Sequence, residues 1–293
     1  MSTVSNGSPP RSREPLWAAA ADLVAAAAIS TTGVVSKGLL TSSLLIAAHR
    51  SWLCWFGILV VSRVLPRPGG PSALRHGLVG GSLFAVSTIC FFAAIRLEPV
   101  VVPVFIGTML PVLAVPMEML RRRTLPPLRD ALCGVATVLG VMLLVSGGRV
   151  ASGVPGLLLS VGSLVAGTLY WLVSKRARDS GLTSLNYVKW TMAVSAAVLT
   201  VGAWSVRGPD IWPVADEVPA LVWLAVASGV GQSLFAWGHA HLPVSVSAVL
   251  QLAVPVFAAP LSWIFLGETL TAVQMAGAAL ATGAIAVLVS KGA

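Results

Sequence analysis

Residues 244–266 read VSVSAVLQLAVPVFAAPLSWIFL, and residues 101–120 read VVPVFIGTMLPVLAVPMEML. Each is an apolar run long enough to cross a bilayer as a helix, which takes roughly 20 residues. Each also carries a proline pair five residues apart. Pro111 and Pro116 in the first run stand 144 positions before Pro255 and Pro260 in the second. A proline inside a helix removes one backbone hydrogen bond and kinks the chain. In hydrocarbon that defect survives only where protein or a water-lined cavity satisfies the freed carbonyl. Matched broken helices in the two halves of a membrane protein point to the walls of a transport site.

The rest of the chain agrees with a membrane setting. Of 293 residues, 56% are hydrophobic and 10% charged, against about 25% charged in a soluble domain. Ten apolar runs read as membrane helices, at roughly 16–35, 44–64, 74–95, 100–120, 128–147, 154–174, 184–205, 218–238, 244–266 and 271–289. With the N-terminus in the cytoplasm, thirteen Lys and Arg fall in cytoplasmic segments. Only Lys37, Arg96, Arg149 and Arg207 fall outside. That positive-inside bias supports both termini in the cytoplasm and a multi-pass protein of the cell (inner, cytoplasmic) membrane. It also accounts for the net charge of +9 without nucleic acid. Cys54, Cys90 and Cys133 lie inside spans and away from His or acidic clusters, so no disulfide framework, metal site or cofactor is expected.

The halves repeat. Residues 1–15 read as a disordered cytoplasmic tail, 16–148 and 154–291 as two five-helix units, and 149–153 as their linker. Gly134 and Gly140 match Gly277 and Gly283 with a shift of 143, close to the shift of the prolines. Five being odd, the second unit enters the membrane from the opposite side. The expected fold class is therefore an all-α integral membrane protein, ten transmembrane helices in an inverted five-plus-five repeat around a central cavity. Such folds work by alternating access.

Residues 265–289, FLGETLTAVQMAGAALATGAIAVLV, resemble the EamA family of the drug/metabolite transporter superfamily. The specific part is Leu266-Gly267-Glu268, followed by Gln274 and Gly277. The corresponding place in the first half reads Arg121-Arg122-Arg123-Thr124 and departs from the pattern. The resemblance implies a basket of spans 1–4 and 6–9 around a cavity, with spans 5 and 10 packed outside. It also implies export of small metabolites such as amino acids, or of drugs.

Ionisable groups inside a membrane are costly and are functional candidates by default. Arg50, in AAHRSWLCW beside Trp52, and Lys189, in NYVKWTM between Tyr187 and Trp190, lie in matching spans. Cations with aromatic neighbours suit a carboxylate on an apolar body. Snorkelling to the interface is the plainer reading. Gln251 lies four residues before Pro255, Thr108 three before Pro111, and Gln232 is in span 8; each is a polar substrate-binding candidate. Asp22, the acid of span 1, is the proton-coupling candidate. Glu268 is expected to cap a helix or fix a loop.

The expected partners are a small-molecule substrate and the lipid bilayer, with the chain a monomer or weak homodimer. The function expected is a secondary, non-ATP exporter of amino acids or similar carboxylate metabolites. Alternatives are a proton-coupled efflux carrier for cationic drugs, a channel, or an intramembrane enzyme. The spans hold no GxSxG, HExxH or acidic pair, and the chain has no Walker motif, so catalysis and ATP hydrolysis are not expected.

Overall fold

The computed structural model describes residues 14–64, 73–109, 113, 128–146, 153–209, 211–242, 250–251 and 253–289. Pro111, Pro116, Glu118 and the 121–124 stretch lie outside the described residues, as do most of the expected tail and linker. The described residues form ten α-helices and no strand: α1 (Glu14–Lys37), α2 (Ser43–Val64), α3 (Ala73–Leu97), α4 (Val101–Gly107), α5 (Leu128–Ser146), α6 (Val154–Asp179), α7 (Ser184–Arg207), α8 (Val218–His241), α9 (Ala253–Leu266) and α10 (Ala272–Val289). Five of them, α1, α2, α3, α6 and α8, are long and apolar enough to cross a membrane; α5, α9 and α10 hold shorter apolar stretches.

The helix ends follow local chemistry. Pro155 and Pro219 sit in the first turns of α6 and α8, where a missing N–H costs nothing. Thr183 caps α7 by accepting from Asn186 N. Thr271 and Gln274 cap α10 reciprocally: Gln274 N donates to Thr271 Oγ1 at 3.2 Å, and Thr271 N donates to Gln274 Oε1 at 3.0 Å. Gly267, with φ +67°, turns the chain at the end of α9, a conformation that favours glycine. Pro255 falls in the first turn of α9 as described, and Pro260 is the proline inside it.

Hydroxyls along the helices bond back to their own backbone, as Ser36 does to Gly33 O, Ser51 to Ala47 O and Thr168 to Leu164 O. A hydroxyl away from water needs such an acceptor. Large apolar side chains, among them Phe56, Val60, Leu78, Val135, Met142, Trp204, Ile264 and Phe265, point outward around the bundle. A water-soluble surface does not carry so much exposed apolar area.

Packing interleaves early and late helices. α1 lies on α8 and α9, α6 on α3 and α4, α2 on α7 and α8, α3 on α7, and α4 on α9. Small residues let the backbones approach. On α3, a Cβ at Gly77 would sit 2.5 Å from Trp190 Cβ, and one at Gly81 would sit 2.6 Å from Val194 Cβ. α5 and α10 pair with each other through Gly140 and Gly277. A Cβ at Gly140 would lie 2.7 Å from both Ala281 N and Gly277 O. Gln274 ties the same pair by donating to Leu144 O at 3.2 Å.

Candidate functional site

A cavity of about 240 Å³ lies among α1, α2, α3, α4, α6, α8 and α9. α5 and α10 contribute nothing to its wall, and neither does α7. Its longest wall is a stripe on α6: Ser163, Gly167, Tyr170, Ser174 and Arg178 recur every three or four residues, which puts them on one helix face. Facing it are Phe84, Ser87, Thr88 and Phe91 of α3, Gly107 and Thr108 at the end of α4, and Gln232 and Phe235 of α8. The wall is apolar and aromatic with dispersed hydroxyls and amides. Among the described lining residues two are charged, Arg50 and Arg178, and none is acidic.

Arg50 is 7% exposed. Its Nη1 donates to Ser228 Oγ of α8 at 3.0 Å and its Nη2 to Thr88 Oγ1 of α3 at 3.1 Å. Its guanidinium carbon stands 5.5 Å from the Phe84 ring centre and 5.1 Å from that of Phe92. Burying a cation is expensive unless charge or hydrogen bonds compensate. Here the described partners are neutral hydroxyls and ring faces, each ring contact being worth about 0.5–2 kcal/mol. The Nε donor has no acceptor among the described residues. The group is held in place by these contacts, and the described wall offers it no acid.

α3 and α6 are fastened beside it. Ser87 Oγ donates to Ser163 O and Ser163 Oγ to Ser87 O, both at 2.9 Å. Further along α6, the Tyr170 ring packs 5.1 Å from Phe84 and 6.0 Å from Tyr187. Arg178, half-buried in the last turn of α6, donates to Ser174 Oγ at 2.9 Å.

The sequence-predicted residues divide. Arg50, Thr108, Gln232 and Gln251 all reach the cavity wall. Trp52, Tyr187, Lys189 and Trp190 do not. Tyr187 is fully buried behind Tyr170, its ring against Gly80 of α3, where a Cβ would lie 3.1 Å from Tyr187 Cζ. The glycines of α3 draw α7 into the helix packing and turn this face of α7 toward α3. Lys189 Nζ lies 5.7 Å from the Trp190 ring centre, and Trp52 reaches across to Thr200 on the outer surface at 2.9 Å. Arg50 and Lys189, though in matching spans, are therefore not both on this wall: α7 stands behind it. Asp22 also lies off the cavity. It is fully buried at the contact of α1 with α8, where a Cβ at Gly238 would come 2.7 Å from its carboxyl carbon.

Glu268 does more than fix its own loop. Its Oε1 takes Lys37 Nζ at 2.5 Å and its Oε2 accepts from Val100 N at 2.9 Å, joining the ends of α1 and α9 to the start of α4. Lys37 also donates to Glu98 O at 2.7 Å. Glu98 is 2% exposed, takes Ser160 Oγ at 3.1 Å, and leaves Oε1 without a protein partner. Burial pushes its carboxyl above the usual range, against the pull of Ser160 and the charge of Lys37. Sequence reasoning passed over Glu98 and Arg178. The α6 stripe was the available signal for Arg178, but its place in a run with Lys175 and Arg176 made it read as a topology marker.

The described residues form an all-helical bundle of apolar helices around a cavity whose described wall carries two arginines and no acid, and these features define the class as a multi-pass membrane protein. A solved structure, described only as the crystal structure of a protein, shares the fold with a TM-score of 0.68. The match is 19% identical and covers 93% of this chain and 96% of that one. Residues 154–290 match the EamA-like transporter family. The family expected from residues 265–289 is borne out. A probable terminal-alkyne amino-acid exporter of Streptantibioticus cattleyicolor is 33% identical over 114 residues. That match spans 38% of this chain and 37% of the relative's length.

Proposed function

We propose that the protein is a secondary exporter of small carboxylate-bearing metabolites, amino acids foremost, working by alternating access in the cell membrane. The observation that carries this is Arg50, a buried guanidinium with neutral partners on the wall of an aromatic cavity that shows no acid. A cationic drug would need an acid on that wall. The amino-acid exporter activity named for the Streptantibioticus relative points the same way.

The carrier is an inverted repeat of two five-helix units, 16–148 and 154–291, with both termini in the cytoplasm. The packing supports this reading, because many contacts have a counterpart five helices away. α1 on α8 answers α6 on α3, α1 on α9 answers α6 on α4, and α2 on α8 answers α7 on α3. The contacts α2–α7, α4–α9 and α5–α10 are their own counterparts. The thirteen-to-four bias of basic residues supports the orientation. Asp22 remains the proton-coupling candidate, acting at the α1–α8 contact rather than in the cavity.

The test is counterflow of radiolabelled amino acids in proteoliposomes. Saturable exchange that Arg50→Ala abolishes is expected; flux linear in concentration would instead mark a channel. Exchange that is indifferent to Arg50→Ala would remove the carboxylate reading. Loss of pH-gradient dependence in Asp22→Asn is the expected sign of proton coupling there, and unchanged dependence would exclude it.

A further inference from the structure

The second cation of the cavity stands well away from the first. Arg50 bonds Thr88, next to Ser87, and Ser87 is fastened to Ser163 on α6. Arg178 bonds Ser174 on the same helix. At 1.5 Å per residue the Ser163 and Ser174 levels are roughly 16 Å apart along the axis. Arg50 and Arg178 are thus anchored to different levels of the α6 wall. Between them the wall carries the Phe84 and Tyr170 rings, 5.1 Å apart.

Arg178 also differs from the basic residues beside it. Lys175 and Arg176 are exposed and off the cavity wall; Arg178 is drawn in and half-buried on it. Asp179, the adjoining acid, is exposed and does not line the cavity. Helix periodicity explains the difference, since 178 continues the 163–167–170–174 stripe and 175 and 176 do not.

We propose that Arg178 is a second carboxylate-binding position, which captures the anionic head group at the α6 C-terminal end of the cavity before it passes to Arg50. This rests on the carboxylate reading of the cavity given above. A cation near an opening raises the local concentration of anions and quickens their entry, an effect that salt screens. A hand-over between two cations also keeps either one from holding the cargo too tightly to release. The aromatic rings between them give the cargo's apolar body a surface to slide along.

The probes are 3-phenylpropionate and its neutral counterpart 3-phenylpropanol, read by the thermal stabilisation each gives the full-length protein in detergent. Wild type is expected to respond to the acid and not to the alcohol. Arg178→Gln should raise the half-saturating concentration of the acid about tenfold, the order expected for losing one charge-assisted hydrogen bond. It should also flatten the salt dependence. Arg178→Lys should recover part of the loss, and Arg176→Gln should change nothing. Unfolding temperatures without ligand separate these effects from misfolding. If Arg50→Gln abolishes the response while Arg178→Gln leaves both affinity and salt dependence unchanged, the capture role is overturned and the carboxylate reading stands. If wild type itself does not distinguish acid from alcohol, both fall.

Discussion

The two ends of α6 use similar groups to opposite effect. At its start, Ser160 bonds Glu98, and Lys37 pairs with Glu268, contacts that draw α1, α4, α6 and α9 together. At its far end, Ser174 meets Arg178 on the cavity wall, where the described lining has no acid to answer it. The described wall includes Thr32 on α1, Pro103 on α4 and Ser163 on α6, and neither Lys37 nor Glu268 is part of it. Where cation and acid are paired, the bundle is tied shut. Where the described wall offers the two arginines hydroxyls and rings and no acid, there is a cavity. Under the alternating-access mechanism proposed above, the paired cluster is the element that transport would have to break.

The comparison can be broken at Arg50, where the largest effect is expected. Arg50→Lys keeps the charge but loses the planar fork that bonds Thr88 and Ser228 together. Carboxylate uptake in proteoliposomes should fall about 100-fold, since charge-assisted hydrogen bonds are worth about 1.5–3 kcal/mol each. Wild-type uptake in that variant would show that charge alone is used.

At the tied end, Gly156→Ala would set a Cβ 2.6 Å from Glu98 Cγ and 2.8 Å from its Cδ. Overpacking of this kind costs about 1–3 kcal/mol, to be read as a lower unfolding temperature in detergent. Gly134→Ala, with nothing within 4 Å of the added Cβ, is the control. Equal behaviour of the two would mean that Glu98 is not tightly packed.

Glu268→Gln weakens the tie to Lys37 while keeping an acceptor for Val100 N. A loss of about 1 kcal/mol is expected for one partly exposed pair. More telling is access: a cysteine placed at Thr32, on the cavity wall, should react faster with a membrane-impermeant thiol reagent once the tie is loosened. An unchanged rate would mean that the cluster does not close that end.

The smallest effect is on pH dependence. Glu98 has its carboxyl raised in the folded state by burial, so the folded protein holds this proton more firmly than the unfolded chain. Its contribution to stability is full below the ordinary glutamate value and declines as pH rises through the raised one. Glu98→Gln should flatten unfolding temperature against pH over that window. A wild-type slope retained by the variant would assign it to another group.

Much of this was legible in the sequence because it is local. Apolar runs set the helices, and Leu266-Gly267-Glu268 with Gln274 and Gly277 carried the family resemblance. Arg50, Thr108, Gln232 and Gln251 were found as polar groups in apolar runs, and each does reach the cavity wall. The side to which a helix turns is a different matter. Lys189 and Tyr187 looked equivalent to Arg50 and its neighbours, yet the glycines of α3 draw α7 into close contact and face these residues away from the cavity. Arg178 looked like a topology marker, yet the packing of α6 on α3 carries it inward. Glu268 looked like a loop residue until α1 and α4 were brought beside it.

Sequence by itself therefore determined the helices, their membrane character and the family of the second half, since hydrophobicity and helix-end chemistry act over a few neighbouring residues. Tertiary structure alone decided which cations share the cavity and which acid pairs with Lys37. Those pairings join residues 61 to 231 positions apart, as Lys37 joins Glu98 and Glu268. They depend on the rotation of each helix about its axis, which is set by close contacts with its neighbours.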